Sequence, residues 1–315
     1  MKRYKKFLCI AKLNKKAQTY SKKHKNPSNS RKNKNVPISE KYKNPPIPEG
    51  YKHLYGEWNN GFIIERNSDG SQFAWVPVGC LKSNGTIDGK TFSKKFGRRN
   101  YNKEDEFEEY YDPSNEDFFL QIESVKKYGG FYISCYNISK NEENGKPQSI
   151  RGEQPWINID FNDARNFATI MENSCNIKSH LVYGAEYDSV LEWFIESGAK
   201  TFEEIANDSS KWGNCAYMDI KREVEETGLR KRWIVNNICD FAGNVEEWTQ
   251  ECKHEWPYGV LHIVRGGNTE YEERYFMYAE NKCLYKNGYS VSKRESYGKK
   301  HIDRELGFRI ALYIK

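Results

Sequence analysis

Apolar and polar positions follow two regimes along this chain. Through residues 1–46, apolar side chains are few and isolated among Lys, Asn, Ser and Pro, a composition that cannot offset its ordering entropy. This predicts a disordered basic tail over residues 1–46, followed by a stiff linker at Asn44-Pro45-Pro46-Ile47-Pro48. From Gly50 onward, apolar runs recur with strand and helix periods. Gly61–Arg66 and Gln72–Val78 are β-branched and aromatic runs separated by Asn67-Ser68-Asp69-Gly70, the signature of a hairpin with an Asp-Gly turn. Pro77 marks the end or edge of its strand. The polar stretch 82–115 predicts no regular structure, and Gly129–Tyr136 predicts a strand entered through glycines.

Between Asp160 and Glu172, residues Phe161, Ala164, Phe167, Ala168 and Met171 line one face of a helix, with Asp160 or Asn162 as its N-cap. A second helix is predicted over Gly184–Gly198, with Ala185, Val190, Leu191, Trp193 and Phe194 on one side. Glu186, Asp188 and Glu192 fall on the opposite, polar side. Short strand-like pieces follow at Val260–Arg265 and Phe308–Ile314. Two helices among short irregular β-segments define an α+β chain with one compact domain over residues 47–315.

Charge divides where the texture does. The chain carries a net +6 from 50 Lys and Arg against 44 Asp and Glu. Residues 1–46 hold 15 basic side chains and one acid, Glu40, so the remaining 269 residues sum to −8. The tail is either an electrostatic arm for nucleic acid or another acidic surface, or a solubilising extension. It lacks the aromatic–basic interleaving of a single-strand binder, so nucleic-acid association through residues 1–46 is expected to be weak. No stretch approaches the roughly 18 apolar residues of a membrane span, and the N-terminus lacks a secretory apolar region. A cytoplasmic protein without membrane contact is therefore expected. The 8 cysteines form no C-x-x-C, which predicts free thiols in a reducing compartment.

Three phrases carry candidate chemistry. Asp240-Phe241-Ala242-Gly243-Asn244-Val245-Glu246-Glu247-Trp248 joins two acids through a glycine turn, the kind of hard oxygen set that Ca²⁺ requires. Val264-Arg265-Gly266-Gly267-Asn268 ends a strand in a double glycine, where backbone must pass close to something. Leu306-Gly307-Phe308-Arg309-Ile310 closes the chain with an arginine placed to pair with a buried acid.

In this order and spacing, the phrases resemble the G-N-V-W-E-W, R-G-G-S and G-F-R motifs of the formylglycine-generating enzyme, or sulfatase-modifying factor, family. Upstream, Phe73–Gly79 resembles that family's F-x-W-I-P-x-G and Gly130–Ile133 its G-F-Y-I strand. Trp156–Phe167 is similar to its W-x-D-A-x-x-F helix, and His180–Tyr187 stands in the place of R-L-P-T-E-A-E-W. The resemblance spans about residues 50–315 and implies a C-type-lectin-like fold.

It also implies what this chain should lack. Oxidase members bind copper(I) through two cysteines after R-G-G-S, and soft thiolates suit that ion. The matching positions here are Tyr271 and Phe276. Asn268 replaces the serine of R-G-G-S, and Glu246 replaces the first tryptophan of W-E-W. No copper and no formylglycine-generating activity are expected. A related branch places iron on H-x₃-H-x-E, and none of the 6 histidines here has that spacing. The family's calcium turn does carry over. It implies Ca²⁺ on the Asp240 and Glu247 carboxylates and the Gly243 and Val245 carbonyls, with Glu247 paired to Arg265 or Arg309 as the metal-free alternative.

The stretch Asn268–Asp303 is dense in Tyr, Asn, Ser and charged residues, the composition of adaptable recognition surfaces. Variable proteins of phage and bacterial diversity-generating retroelements use the same fold, with their variable segment in the same stretch. The expectation is a catalytically degenerate, cytoplasmic or prophage-encoded domain that binds a protein or glycan through Asn268, Tyr271, Tyr275, Phe276, Tyr278 and Arg309. The alternatives are a metal-dependent oxidoreductase of the same superfamily and tail-driven nucleic-acid association. A packing role for the tyrosines competes with the binding role.

Overall fold

The computed structural model describes residues 44–78, 96–97, 99, 101, 116–215, 222–267, 269, 278–279, 282–283 and 290–315. Nearly all of the predicted tail, and most of the polar stretch 82–115, therefore lie outside the described residues. The proline-rich segment is held against the body: Pro45 is buried and the Tyr132 hydroxyl donates to the Pro46 carbonyl at 3.1 Å.

In chain order the strands begin with β1 (Tyr51–Tyr55), β2 (Ile63–Arg66) and β3 (Gln72–Pro77). Helix α1 (Glu116–Tyr128) precedes β4 (Gly130–Ser134) and the short pair β5 (Ser139–Lys140) and β6 (Pro147–Gln148). Then come α2 (Phe161–Ile170), β7 (Ile177–Leu181), α3 (Gly184–Glu196) and α4 (Phe202–Ala206). The second half holds β8 (Ile234–Val235), β9 (Ile238–Cys239), β10 (Glu246–Glu255), β11 (Gly259–Arg265), β12 (Tyr278–Ala279) and β13 (Lys282–Cys283). It closes with β14 (Glu295–Tyr297), β15 (Leu306–Phe308) and β16 (Ile310–Ile314).

A six-stranded antiparallel sheet runs in the order β1-β2-β3-β4-β16-β7. Its hairpin turns where the Asp-Gly signal predicts. Gly70 adopts φ 77°, and Asp69 accepts hydrogen bonds from the Ser71 amide, the Ser71 hydroxyl and Arg66. β3 ends at Pro77, which can donate nothing further to the ladder.

Both faces of this sheet are covered, which explains why its strands read as continuous apolar runs. One face carries Ile63, Ala74, Val76, Phe131 and Ile133 against Val190, Leu191 and Phe194 of α3. The other carries Ile64, Phe73, Trp75, Tyr132 and Leu312 against Phe161, Ala164 and Ala168 of α2. Trp248, Val264 and Phe308 of a second sheet, ordered β14-β11-β10-β15, complete that layer. Each fully buried aromatic or aliphatic side chain contributes about 1.5–3 kcal/mol of transfer free energy.

α2 is capped as the sequence predicts, with the Asp160 side chain accepting from the Asp163 amide at 3.0 Å. α3 departs from its predicted amphipathic form. Glu186 and Asp188 are both fully buried, although the periodicity places them on a polar face. Each is buried because partners meet it. Glu186 accepts from the Tyr183 amide at 2.8 Å, from His180 Nε2 at 2.9 Å and from the Gln121 amide. Helices α1 and α4 are absent from the sequence reading. α1 begins directly after the polar stretch, and α4 is one short turn capped by Thr201 and Glu204.

Candidate functional site

The two sheets meet at the turn 240–247, between β9 and β10. Asp240, Gly243 and Asn244 all adopt left-handed backbone, with φ 54°, 75° and 68°. At position 243 glycine is required by space as well as by φ, since an added Cβ would lie 2.5 Å from the Asn214 carbonyl. The Gly243 amide donates to the Gly266 carbonyl at 2.7 Å, so the turn is bonded to the Arg265-Gly266-Gly267 strand end. A Cβ on Gly266 would sit 3.6 Å from the Val245 carbonyl oxygen. That is ordinary contact, so glycine is required here by conformation rather than by space: Gly266 and Gly267 adopt φ 98° and 72°.

Asp240 and Glu247 close this turn from within, 1% and 2% exposed. Asp240 Oδ2 accepts from Thr227 Oγ1 at 2.8 Å and the Gly228 amide at 2.6 Å. Glu247 Oε1 accepts from Arg309 Nε at 2.6 Å and Asn137 Nδ2 at 2.7 Å. Among the described residues, no donor falls on the second oxygen of either carboxylate. Burial, helped by the nearby Asp240 charge, pushes the Glu247 carboxyl up to about 7 against the pull of Arg309. Burial also raises Asp240, opposed by its hydrogen bonds from Gly228 and Thr227. Two desolvated carboxylates therefore face one guanidinium.

Arg309, expected on the ligand-binding face, is sealed inside. It is 0% exposed, where the chain passes from β15 in one sheet to β16 in the other. Besides Glu247, its guanidinium donates to the Ser134 carbonyl at 3.1 Å and to the Cys239 carbonyl. It therefore staples both sheets to the acidic turn.

Among the described residues, no group of three or more His, Cys, Asp or Glu side chains is arranged to hold a metal. Any cation at this turn must draw on main-chain carbonyls as well as the two acids. The residues suit Ca²⁺, a hard ion that takes about 6–8 oxygen ligands. They supply two carboxylates with one uncommitted oxygen each, the Gly243 and Val245 carbonyls, and a net charge of the right sign.

A second charged cluster joins α3, β10, the end of β11 and the residue before β14. Arg265 donates to Asp188 Oδ1 at 2.8 Å and Glu251 Oε1 at 2.6 Å. Arg294 donates to Asp188 Oδ2 at 2.7 Å and Glu251 Oε2 at 2.9 Å. All four side chains are 0–2% exposed. The Arg265 guanidinium also lies 4.3 Å from the centroid of the Tyr187 ring. Asp188 sits on α3, Glu251 on β10, Arg265 at the end of β11 and Arg294 just before β14.

Asn268, Tyr271, Tyr275 and Phe276 lie outside the described residues, so the positions matching the copper cysteines do as well. Tyr278 forms the short strand β12, paired with β13. Of the expected site residues, the structure joins Asp240, Gly243, Val245 and Glu247 in one turn and adds Arg309 beside them. The sequence reading missed Asn137, Thr227 and Asn214, whose polar side chains are buried around that turn. Nothing in a lone Asn or Thr signals such a place in the sequence.

This turn, the Arg265-Gly266-Gly267 strand end bonded to it and the buried Arg309 between two sheets are the three phrases that resemble the formylglycine-generating enzyme motifs. The chain belongs to the sulfatase-modifying factor enzyme 1-like domain family, whose profile matches residues 101–314. Among solved structures, CarF is similar over 59% of this chain and 87% of its own, with 14% identity and a TM-score of 0.41. PvdO from Pseudomonas aeruginosa is similar over 59% and 81%, with 16% identity and a TM-score of 0.38. Treponema denticola variable protein 1 is similar over 58% and 84%, with 15% identity and a TM-score of 0.33. No curated protein matches the chain. Among the described residues no helix is long and apolar enough to cross a membrane.

Proposed function

We propose that this chain is a catalytically degenerate member of its family that binds a protein or glycan through the segment between Arg265 and Arg294, on a scaffold completed by Ca²⁺ at the turn 240–247. The observation that carries the binding role is the shared grip of Arg265 and Arg294 on Asp188 and Glu251. It fixes both ends of a long tyrosine-rich segment to one buried point. A segment held this way can present side chains for recognition while the fold beneath it is secured by other contacts, the usual division between binding loops and rigid scaffolds. Its Tyr, Asn and Ser content suits a surface that adapts to a partner.

The test replaces residues 270–289 with a Gly-Ser segment of equal length and compares the two proteins on a glycan array and on immobilised surface-protein ligands. Binding by the natural chain that disappears in the replaced chain, with the unfolding midpoint kept, supports the reading. Equal binding by both, or none by the natural chain, overturns it.

A further inference from the structure

We infer that Asn137 is the positioning residue of the acidic turn, setting both carboxylates so that each keeps one oxygen for a cation. The inference rests on the Ca²⁺ reading above and extends it to a residue outside the 240–247 motif. Asn137 follows β4, lies in the six-stranded sheet's connection rather than in the turn, and is fully buried. Its side-chain Nδ2 donates to Glu247 Oε1 at 2.7 Å. Its backbone amide donates to Thr227 Oγ1 at 3.3 Å, and that hydroxyl donates to Asp240 Oδ2 at 2.8 Å. One residue thus reaches both acids, Glu247 directly and Asp240 through a single hydroxyl.

The pattern of occupied atoms gives the arrangement its meaning. Arg309 and Asn137 both bond Glu247 Oε1, while Thr227 and Gly228 both bond Asp240 Oδ2. Doubling donors on one oxygen of a carboxylate fixes its rotation and leaves the other oxygen facing elsewhere. Hydrogen bonds of this kind orient metal-binding carboxylates, and their loss costs about 10–100-fold in affinity.

An amide suits this position. It donates without adding charge, whereas a third carboxylate here would repel two that burial already disfavours. Asn137 is itself braced. Its Oδ1 accepts from Asn244 Nδ2 at 3.4 Å, and Asn244 Oδ1 accepts from Asn214 Nδ2 and the Glu225 amide, both at 2.9 Å. The brace ties Asn137 to Asn244 of the turn and, through it, to Asn214 and the segment following residue 221.

The experiment measures Ca²⁺ affinity by calorimetry on the EGTA-stripped full chain, on Asn137→Leu and on Thr227→Val, with circular dichroism to confirm folding. Asn137→Leu keeps size and removes both the donor to Glu247 and the acceptor for Asn244, while Thr227→Val keeps shape and breaks only the route to Asp240. The expected result is an affinity about 10–100-fold weaker for Asn137→Leu and a smaller loss for Thr227→Val. A merely structural role would lower the unfolding midpoint in EGTA and leave the affinity unchanged, and that result overturns the inference while sparing the Ca²⁺ reading. Should Asn137→Leu fail to fold, an unchanged affinity in Thr227→Val overturns it instead. Absence of Ca²⁺ binding by the natural chain overturns both.

Discussion

Arg265 and Arg294, 29 positions apart, divide the oxygens of the same two acids, each taking one from Asp188 and one from Glu251. The four groups are charge-balanced and buried together, so removal of any one strands the others. Replacing a whole buried ion cluster by apolar groups is often harmless, but breaking one partner costs about 3–5 kcal/mol. Asp188→Asn is therefore expected to lower stability by about 3–5 kcal/mol in urea unfolding. A loss below about 1 kcal/mol, the range of exposed pairs, would contradict the role given to this cluster.

Calcium should act through the neighbouring turn. At a concentration 100-fold above its dissociation constant, a ligand of the native state adds about 2.7 kcal/mol of stability. The unfolding midpoint should rise by several degrees on adding Ca²⁺ to EGTA-treated protein, and Glu247→Gln should abolish the rise. Magnesium, which demands tighter geometry, should do less.

The same turn predicts a pH dependence for the metal-free protein. Glu247 has its carboxyl raised by burial to about 7 in the folded state, from an ordinary value near 4.5. A folded acid that holds its proton longer than the unfolded chain stabilises at low pH and loses that contribution as pH rises through the window 4.5 to 7. Stability of the stripped protein should fall across this range relative to Glu247→Gln, and Ca²⁺ should offset the fall. A flat difference between the two proteins would contradict the assignment.

His262 titrates with the opposite sign. Its ring stacks on Phe161 at 3.5 Å between centroids, and burial lowers its pKa from 6.5 to about 4, with Arg165 and Lys299 adding to the effect. The unfolded chain binds the proton first, so this contribution is complete above pH 6.5 and lost as pH falls towards 4. His262→Phe should keep the stack and remove that acid loss, read as a smaller drop in midpoint between pH 7 and 5.

Chemistry at the family's copper position is expected to be absent. With Tyr271 and Phe276 in place of the two thiols, purified protein with Cu(I) and a C-x-P-x-R peptide should form no aldehyde by mass spectrometry. Appearance of the aldehyde would overturn the degenerate assignment.

The legible parts of the fold are those whose signal is local. The Asp69-Gly70 turn, the Asp160 cap and the strand end at Pro77 each follow from one or two residues acting on their own backbone. The acidic turn was legible as a motif, because its two acids and its glycine fall within the eight consecutive positions 240–247. What escaped were side chains whose role depends on a distant partner. Asp188 reads as solvent-facing on its helix until Arg265 and Arg294 are brought to it from more than 70 residues away. Asn137 reads as nothing until Glu247, 110 positions on, turns its carboxylate towards it. Arg309 was legible as half of an ion pair, but its complete enclosure depends on two sheets closing around it.

The place of β16 inside the sheet sets an order of events for the growing chain. This strand lies between β4 and β7, so the principal sheet stays split until residues 310–314 have been synthesised. Arg309, immediately before it, is also the cation that Glu247 waits for. On the ribosome, the first 300 residues would hold their apolar faces and their buried acid without closure, dependent on whatever shields nascent chains. Loss of a handful of residues from this strand would then leave no smaller folded body, only an open one.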